Sequence, residues 1–251
     1  MAKTVAIVNQ KGGVGKTTTC VNLLSALHEA GKRMLLCDFD PQANSTSGMG
    51  VDKTASQGVY EVLINGADVR KCVVHTRYGD VLPSSKSLAG AGIEMIGRDR
   101  REFMLKEALE PLAADYDFIF IDCPPSLELL TLNALCAADT LLVPVQSEYF
   151  ALEGLSDLLN TVRIVKRSLN PAVELEGVLL TMYDGRTNLA MQVAEEVKRF
   201  FPGKVYATVI PRNVRLSEAP SHGKPINVYD RSSRGAEAYE AVAQEFLRKN
   251  A

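Results

Sequence analysis

The chain has 251 residues, enough for one large α/β domain with a substantial core, and its 46% hydrophobic and 23% charged residues are ordinary for a globular protein. A formal net charge of −2 excludes a polycation, although residues 163–251 carry 14 Lys/Arg against 10 Asp/Glu, which favours an anionic partner for that segment. The five cysteines form no CxxC pair and no Cys/His cluster, which favours buried thiols in a reducing compartment over disulfides or a zinc site.

Apolar runs of strand length alternate along the chain with amphipathic segments of helix length. Most of the runs are continuous, as expected for parallel strands that are covered on both faces. The pattern therefore predicts a doubly wound, mostly parallel α/β sheet with helices on both faces, in a single domain of residues 1–251. The less regular residues 41–101 predict an elaboration at the edge of this domain. The predicted strands are 4–8, 34–37, 118–121, 141–145, 178–182 and 205–210, and the predicted helices are 17–30, 152–167, 189–201 and 235–249.

A glycine-rich segment joins the first predicted strand to the first predicted helix, which is the context of a phosphate-binding loop. Glycines let backbone N–H groups approach a phosphate, and the N-terminus of the helix adds partial positive charge. We expect Lys16 to reach the β- and γ-phosphates of a nucleotide and the Thr17 hydroxyl to bind Mg²⁺. The residues of the loop are Lys11, Gly12, Gly13, Val14, Gly15, Lys16, Thr17 and Thr18.

Aspartates follow two of the predicted strands, at the carboxyl ends where ligands of open α/β sheets bind. Asp122 ends the apolar run 118–121 in the manner of a Walker B motif, and we expect it to hold the Mg²⁺ shell and to accept a bond from Thr17. Asp38 and Asp40 follow the run 34–37. An Asp-Pro turn is the commoner reason for such a pair, and only the nearby phosphate loop favours a role in chemistry. Asp38 either holds Mg²⁺ through a water molecule or braces the loop.

Residues 11–18, KGGVGKTT, form a deviant Walker A motif, and from this motif through LSEAPSHGKPI to the terminal helix the chain resembles the ParA/Soj partition ATPases, which are P-loop NTPases of the SIMIBI, deviant Walker type. The resemblance implies that Lys11 crosses a dimer interface to the other subunit's phosphates, where an added cation stabilises the transition state of phosphoryl transfer. It implies that Asp40, in CDFDPQ, lies beside the metal and orients the attacking water. Residues 124–126 resemble the switch segment that senses the γ-phosphate.

The same resemblance assigns residues in the C-terminal half. Met182, Pro211 and Asn213 are expected to surround the adenine, and the absence of an NKxD motif favours ATP over GTP. Arg186 and Arg215 match arginines that bind DNA in Soj-like proteins, and such binding should be independent of base sequence and sensitive to salt.

The resemblance implies an ATP-driven switch with Mg²⁺ as its metal. ATP would drive formation of a homodimer that binds double-stranded DNA non-specifically on the nucleoid, and a ParB/Spo0J-type partner would stimulate hydrolysis and release. A replication initiator is a further candidate partner. Because the first predicted strand begins at residue 4, we expect the short Soj type, without an N-terminal helix-turn-helix domain.

Three alternatives stay open at this point. A MinD-like membrane ATPase would end in a basic amphipathic helix, but the acidic residues in 240–249 favour a helix that docks on the core. A redox protein of the nitrogenase iron-protein type would need exposed cysteines from each subunit. A P-loop kinase would need a pocket for the phosphate acceptor. The sequence contains no signal peptide and no apolar window of about 18 residues, so we expect a cytoplasmic protein.

Overall fold

The computed structural model describes residues 1–54, 57–148 and 151–251, the last range without the side chains of residues 151–154. Its strands are β1 (Lys3–Ile7), β2 (Met34–Asp38), β3 (Asp80–Leu82), β4 (Phe118–Asp122), β5 (Thr140–Gln146) and β6 (Glu174–Thr181). They form one parallel sheet in the order β3-β2-β4-β1-β5-β6. The predicted sheet is confirmed.

Helices connect the strands and cover both faces of the sheet. Short 3₁₀ turns lie at Arg101–Phe103, Glu110–Leu112 and Ala219–His222. The α-helices are α1 (Lys16–Glu29), α2 (Asn44–Gly48), α3 (Val59–Asn65), α4 (Val69–Cys72), α5 (Leu88–Glu94), α6 (Met104–Leu109), α7 (Leu129–Ala137), α8 (Ala151–Ser168), α9 (Asn188–Phe200), α10 (Val214–Glu218), α11 (Ile226–Tyr229) and α12 (Arg234–Lys249).

The strands are continuously apolar because each one contributes to two hydrophobic cores. Successive side chains of a strand point to opposite faces. On β4, Phe118 and Phe120 join a core with α1 and α12, whereas Ile119 and Ile121 join a core with α3, α6, α7, α8 and α9. This alternation places helices on both faces and buries the centre of the sheet.

One predicted strand, 205–210, is wrong. Val205 makes only an isolated bridge to Val178, and the backbone N–H groups of Ala207 and Thr208 donate to the carboxylate of Glu245 at 2.9 and 3.1 Å. The segment pairs with β6 only near its ends, through the N–H groups of Tyr206 and Ile210, and Glu245 of α12 interrupts the pairing between them, which no local sequence pattern reveals. The strand that completes the sheet is β3, within the irregular region 41–101, and it lies at the edge as expected for an elaboration.

The C-terminal helix α12 docks on the sheet. Tyr239, Val242 and Phe246 are buried, and the ring of Phe246 makes edge contacts with Phe118 and Phe120, with centroids 5.1 and 5.8 Å apart. The predicted docking of this segment is confirmed. Among the residues that the structure describes, none of the helices combines the length and the hydropathy needed to cross a bilayer.

Replacing Phe246 should show how much α12 contributes to stability. Phe246→Ala removes two aromatic contacts from a sealed core and should lower the free energy of unfolding by about 3–5 kcal/mol, measured by urea titration. Phe200→Ala is the matched control because Phe200 is 62% exposed, and it should change stability by less than about 0.5 kcal/mol. Equal losses in the two variants would show that α12 is only loosely attached.

Candidate active site

The loop between β1 and α1 has the conformation that its glycines predict. Gly13 and Gly15 have φ of 76° and 89°, a left-handed region that side chains rarely adopt. Helix α1 begins at Lys16, and no side chain caps its N-terminus. The first N–H groups of a helix have no partner within it, so this N-terminus can bind an anion.

Asn9 holds the start of the loop. Its Nδ2 donates to the carbonyl of Pro144 on β5 at 2.9 Å, and its Oδ1 accepts from the N–H of Lys11 at 3.0 Å. Sequence reasoning missed Asn9 because an asparagine after a strand is equally typical of an ordinary turn.

The side chain of Lys16 folds back over the phosphate loop. Its Nζ donates to the carbonyl of Lys11 at 3.1 Å, and the residue is buried. Burial lowers the pKa of Lys16, against the opposing attraction of Asp122 and Asp40. A phosphate bound in the loop would supply the negative charge that favours the ammonium form.

Asp38 braces the segment that follows β2. One carboxylate oxygen accepts from the N–H and the hydroxyl of Thr46 at 2.7 and 2.6 Å, and the other accepts from the N–H of Asp40 at 3.2 Å. Burial raises the pKa of Asp38, and these bonds oppose the rise. Of the two roles considered for Asp38, bracing is the one that its contacts fulfil.

Asp122 is the unusual carboxylate of the site. It pairs in register with Asp38 on one side and Ile7 on the other, and it is completely buried. Neither oxygen has a hydrogen bond of normal length and angle from the described residues. Burial and the neighbouring Asp38 raise the pKa of Asp122, and the nearby Thr17 hydroxyl opposes the rise.

A divalent cation fits this environment, because an adjacent positive charge stabilises a buried carboxylate that lacks hydrogen bonds of normal geometry. The described residues contain no group of three or more His, Cys, Asp or Glu side chains that could hold a metal alone. Mg²⁺ usually takes one or two carboxylates together with substrate phosphates and water. Asp122 and the Thr17 hydroxyl therefore suit Mg²⁺ that arrives with a nucleotide.

A cleft of about 310 Å³ opens in front of the loop. Asp40 lines it, and the N–H of Gln42 donates to one oxygen of Asp40 at 2.9 Å. Sequence reasoning did not assign Gln42 and Asn44 to the site, although Gln42 lies within CDFDPQ. The residues that line the cleft are Gly12, Gly13, Gly15, Lys16, Thr17, Thr18, Asp40, Gln42, Asn44, Pro125 and Met182.

Of the residues expected around the adenine, Met182 lines the cleft, whereas Pro211 and Asn213 are not among its lining residues. Met182 follows β6 with a φ of 49° and lines the cleft. The N–H of Tyr183 donates to the carbonyl of Ile210 at 2.9 Å, and Tyr183 bridges Pro211. The Oδ1 of Asn213 caps α10 by accepting from the N–H of Arg215 at 2.9 Å. The amide NH₂ of Asn213 is therefore the group that could donate to a base.

Three cations that the sequence singled out are held in ion pairs at the surface. Lys11 Nζ lies 3.0 Å from Glu148, outside the residues that line the cleft. Arg186 donates twice to Asp184, at 2.8 and 2.7 Å. Arg215 lies 2.8 Å from Glu218 and 3.4 Å from Asp230. In each case a carboxylate of the same chain competes with any phosphate for the cation.

The five cysteines are all buried and free. Burial, followed by the charge of Asp122, raises the pKa of Cys123, so this thiol is poorly suited to be a thiolate ligand. An iron–sulfur cluster shared between two subunits would need exposed cysteines. Their burial therefore argues against the redox alternative.

Comparisons with known proteins show which family the chain is similar to. A family model described as an AAA domain matches residues 2–175. The chain is 59% identical over 248 residues to the sporulation initiation inhibitor protein Soj of Bacillus subtilis, covering 98% of each chain. It is 51% identical over 253 residues to the chromosome partitioning protein ParA of Myxococcus xanthus, covering 100% of this chain and 89% of ParA. A crystal structure described as cobyrinic acid a,c-diamide synthase from Mycobacterium smegmatis, with bound ATP analog and magnesium, has a TM-score of 0.89 and 39% identity, covering 99% and 95%.

The buried pair of aspartates should make the nucleotide-free protein less stable as the pH rises. Between about pH 4 and about pH 7, Asp122 keeps a proton in the folded state that it has lost in the unfolded state. Stability therefore falls as the pH rises through this window. Asp122→Asn should remove about 2 kcal/mol of that fall between pH 5 and 7.5, measured by urea unfolding.

Asp117→Asn is the matched control for this measurement. Arg33 lowers the pKa of Asp117, so this carboxyl is ionised in both states throughout the same range. Its variant should shift the whole profile without changing its slope between pH 5 and 7.5. If the profiles of wild-type protein and Asp122→Asn were parallel, the raised pKa assigned to Asp122 would be wrong.

Proposed function

This chain belongs to the ParA/Soj family of chromosome-partitioning ATPases, and we propose that it is a DNA-segregation switch that ATP binding turns on and hydrolysis turns off. One observation supports the proposal: the phosphate loop and Asp40 line one cleft, and the buried Asp122 ends β4 between β1 and β2 at the same edge of the sheet. This is the arrangement that phosphoryl transfer needs, because catalysis there consists of positioning and charge stabilisation.

ATP is the proposed substrate, with its phosphates in the loop of residues 11–18 and its adenine beside Met182, Pro211 and Asn213. The bound ATP analog and magnesium of the similar Mycobacterium smegmatis protein support this choice. Thr17 and Asp122 would hold Mg²⁺, with Asp40 beside it. When bound, the metal supplies positive charge to the β- and γ-phosphate oxygens.

Asp40 is the proposed residue that orients the attacking water. It lines the cleft, and the N–H of Gln42 fixes one of its oxygens. A carboxylate beside a divalent cation is a weak base, so its contribution is to hold the water in line with the γ-phosphorus. Lys16 stays within the same subunit and balances the charge of the phosphates.

Lys11 is the proposed link between hydrolysis and dimerisation. In the single chain its ammonium pairs with Glu148 at a partly exposed position. Exposed ion pairs contribute only about 0–1 kcal/mol, so exchanging Glu148 for phosphates of a second subunit meets little resistance. Hydrolysis would then depend on an ATP-bound homodimer.

Double-stranded DNA is the proposed binding partner, and Arg186 and Arg215 are the residues proposed to contact its phosphates. Both side chains are exposed and their carboxylate partners are also at the surface, so phosphate can replace them. Two arginines in one chain bind weakly, and a dimer doubles their number. ATP-dependent dimerisation would therefore control the affinity for double-stranded DNA, whatever its sequence.

Partner proteins complete the proposed cycle. A ParB/Spo0J-type protein would stimulate hydrolysis and release the chain from the nucleoid, and a replication initiator is a second proposed partner. A single domain of residues 1–251 in the cytoplasm would suffice for this cycle. The MinD-like alternative is less well supported, because the apolar residues of α12 are used in the core and the similar Soj and ParA proteins are named for sporulation control and partitioning.

Lys11→Ala should separate ATP binding from dimerisation. The variant should bind ATP with an affinity within about threefold of wild type, because Lys16 and the loop backbone remain. It should lose ATP-dependent dimers in analytical ultracentrifugation, and its ATP turnover should fall to background. Lys32→Ala, at a lysine of similar exposure on the opposite edge of the sheet, should leave both properties unchanged. A dimeric, active Lys11→Ala variant would contradict the proposed role in trans.

Arg215→Ala should test the DNA surface. With ATP and Mg²⁺, the variant should bind double-stranded DNA about tenfold more weakly at physiological salt, and the salt dependence should become shallower. The measurement is fluorescence anisotropy with labelled duplexes of two unrelated sequences. The control is Arg33→Ala, because Arg33 is an exposed, ion-paired arginine directly before β2. Equal losses in both variants would show only a general effect of charge.

A further inference from the structure

The carbonyl of Val14, in the middle of the phosphate loop, is held by a residue of a different strand. Thr181 Oγ1 donates to Val14 O at 2.8 Å, and both residues are 2% exposed. The side chain of Thr181 also packs against Gly15, the residue after Val14. A methyl group built on Gly15 would lie 3.6 Å from Thr181 Cγ2. Thr181 is the last residue of β6 and has no part in the motifs of the loop.

This bond determines the direction of a neighbouring N–H group. The peptide between Val14 and Gly15 is trans and planar, so its C=O and N–H point in opposite directions. Because Thr181 holds the Val14 carbonyl on the β6 side, the Gly15 N–H points away from β6. Gly15 lines the cleft, and backbone N–H groups at this place in a phosphate loop contact phosphate oxygens.

The loop would be free to change this direction without Thr181. Gly13 and Gly15 flank Val14, and glycine can adopt both left- and right-handed conformations with little difference in energy. Rotation of the peptide would turn a carbonyl oxygen toward the phosphates and repel them. A buried hydrogen bond from the hydroxyl opposes this rotation, because breaking it leaves the Val14 carbonyl without that donor.

Thr181 is itself held in place, so it can act as a fixed support. It pairs in register with Gln146 of β5. The following residue, Met182, adopts a positive φ of 49°, which is uncommon for a residue with a side chain and persists only where the surrounding structure imposes it. Thr181 thus joins the phosphate side of the cleft to Met182 on its base side.

We propose that Thr181 is a positioning residue for ATP hydrolysis, which orients the Gly15 N–H toward the phosphates through its bond to Val14. The inference rests on the proposed nucleotide site, and its ADP-binding test is independent of the proposed dimer and DNA steps. The orientation serves bound substrate and transition state alike, so its loss should raise KM while kcat stays nearly constant.

The test compares variants of Thr181 that differ in the hydroxyl. Thr181→Val keeps the shape of the side chain and removes the donor, and its dissociation constant for ADP, measured by isothermal titration calorimetry, should rise about tenfold. Its KM for ATP should rise by a similar factor, with kcat within about twofold of wild type. Thr181→Ser keeps the donor and should restore affinity, whereas Thr181→Ala should resemble Thr181→Val.

Thr19→Val is the matched control, because the Thr19 hydroxyl lies 3.2 Å from the Tyr239 hydroxyl in the core and faces away from the cleft. It should lower the melting temperature about as much as Thr181→Val and leave ADP affinity unchanged. If Thr181→Val fails to fold, the pair Thr181→Ser and Thr181→Ala gives the same comparison of the hydroxyl. Unchanged ADP affinity in Thr181→Val, or a lower kcat with an unchanged KM, would overturn the inference. A wild-type chain that binds no ADP would overturn the proposed site and the inference with it.

Discussion

The active site depends on one unfavourable interaction: two carboxylates, Asp38 and Asp122, are buried side by side at the carboxyl edge of a parallel sheet. Asp38 receives hydrogen bonds from Thr46 and Asp40, but Asp122 has no comparable donors among the described residues. A group in this state favours whatever brings positive charge to it, either a proton or a cation. The nucleotide-free protein is therefore less stable than it would be without this pair, and binding of a metal–nucleotide complex would stabilise it.

The remainder of the site is arranged around that edge. In the proposed site, the N-terminus of α1 and Lys16 would supply positive charge for the phosphates, and Asp122 and Thr17 would supply oxygen ligands for the accompanying metal. The loop itself is held from two sides: Asn9 connects it to β5, and Thr181 connects it to β6. A flexible glycine loop can thus present its N–H groups in one direction, because β5 and β6 support it.

The surface cations follow a different principle. Lys11, Arg186 and Arg215 all have carboxylate partners within the chain, in exposed or partly exposed pairs. Such pairs are weak, so each cation can exchange its partner for a phosphate at small free-energy cost. The same pairs reduce binding of the single chain to anions. The proposed switch would then require two subunits, because one chain has a net charge of −2 and its candidate DNA-binding arginines are ion-paired, so a single chain would bind DNA weakly.

Local patterns in the sequence determined the parallel sheet, the phosphate loop and the candidate aspartates, because continuous apolar runs and glycine spacing reflect short-range physics. Only the tertiary structure decided the rest. Residues 205–210 have a strand-like pattern, yet Glu245 on α12 binds the N–H groups of Ala207 and Thr208 and interrupts their pairing with β6. The sequence did not predict β3, because a strand of three residues is too short to show a period. Three features of the site depend on residues from separate strands or loops. They are the bracing bonds of Asp38, the lack of such bonds at Asp122, and the bond from Thr181 to Val14. Contacts of this kind depend on the order of the strands in the sheet, and no short segment of the sequence determines that order.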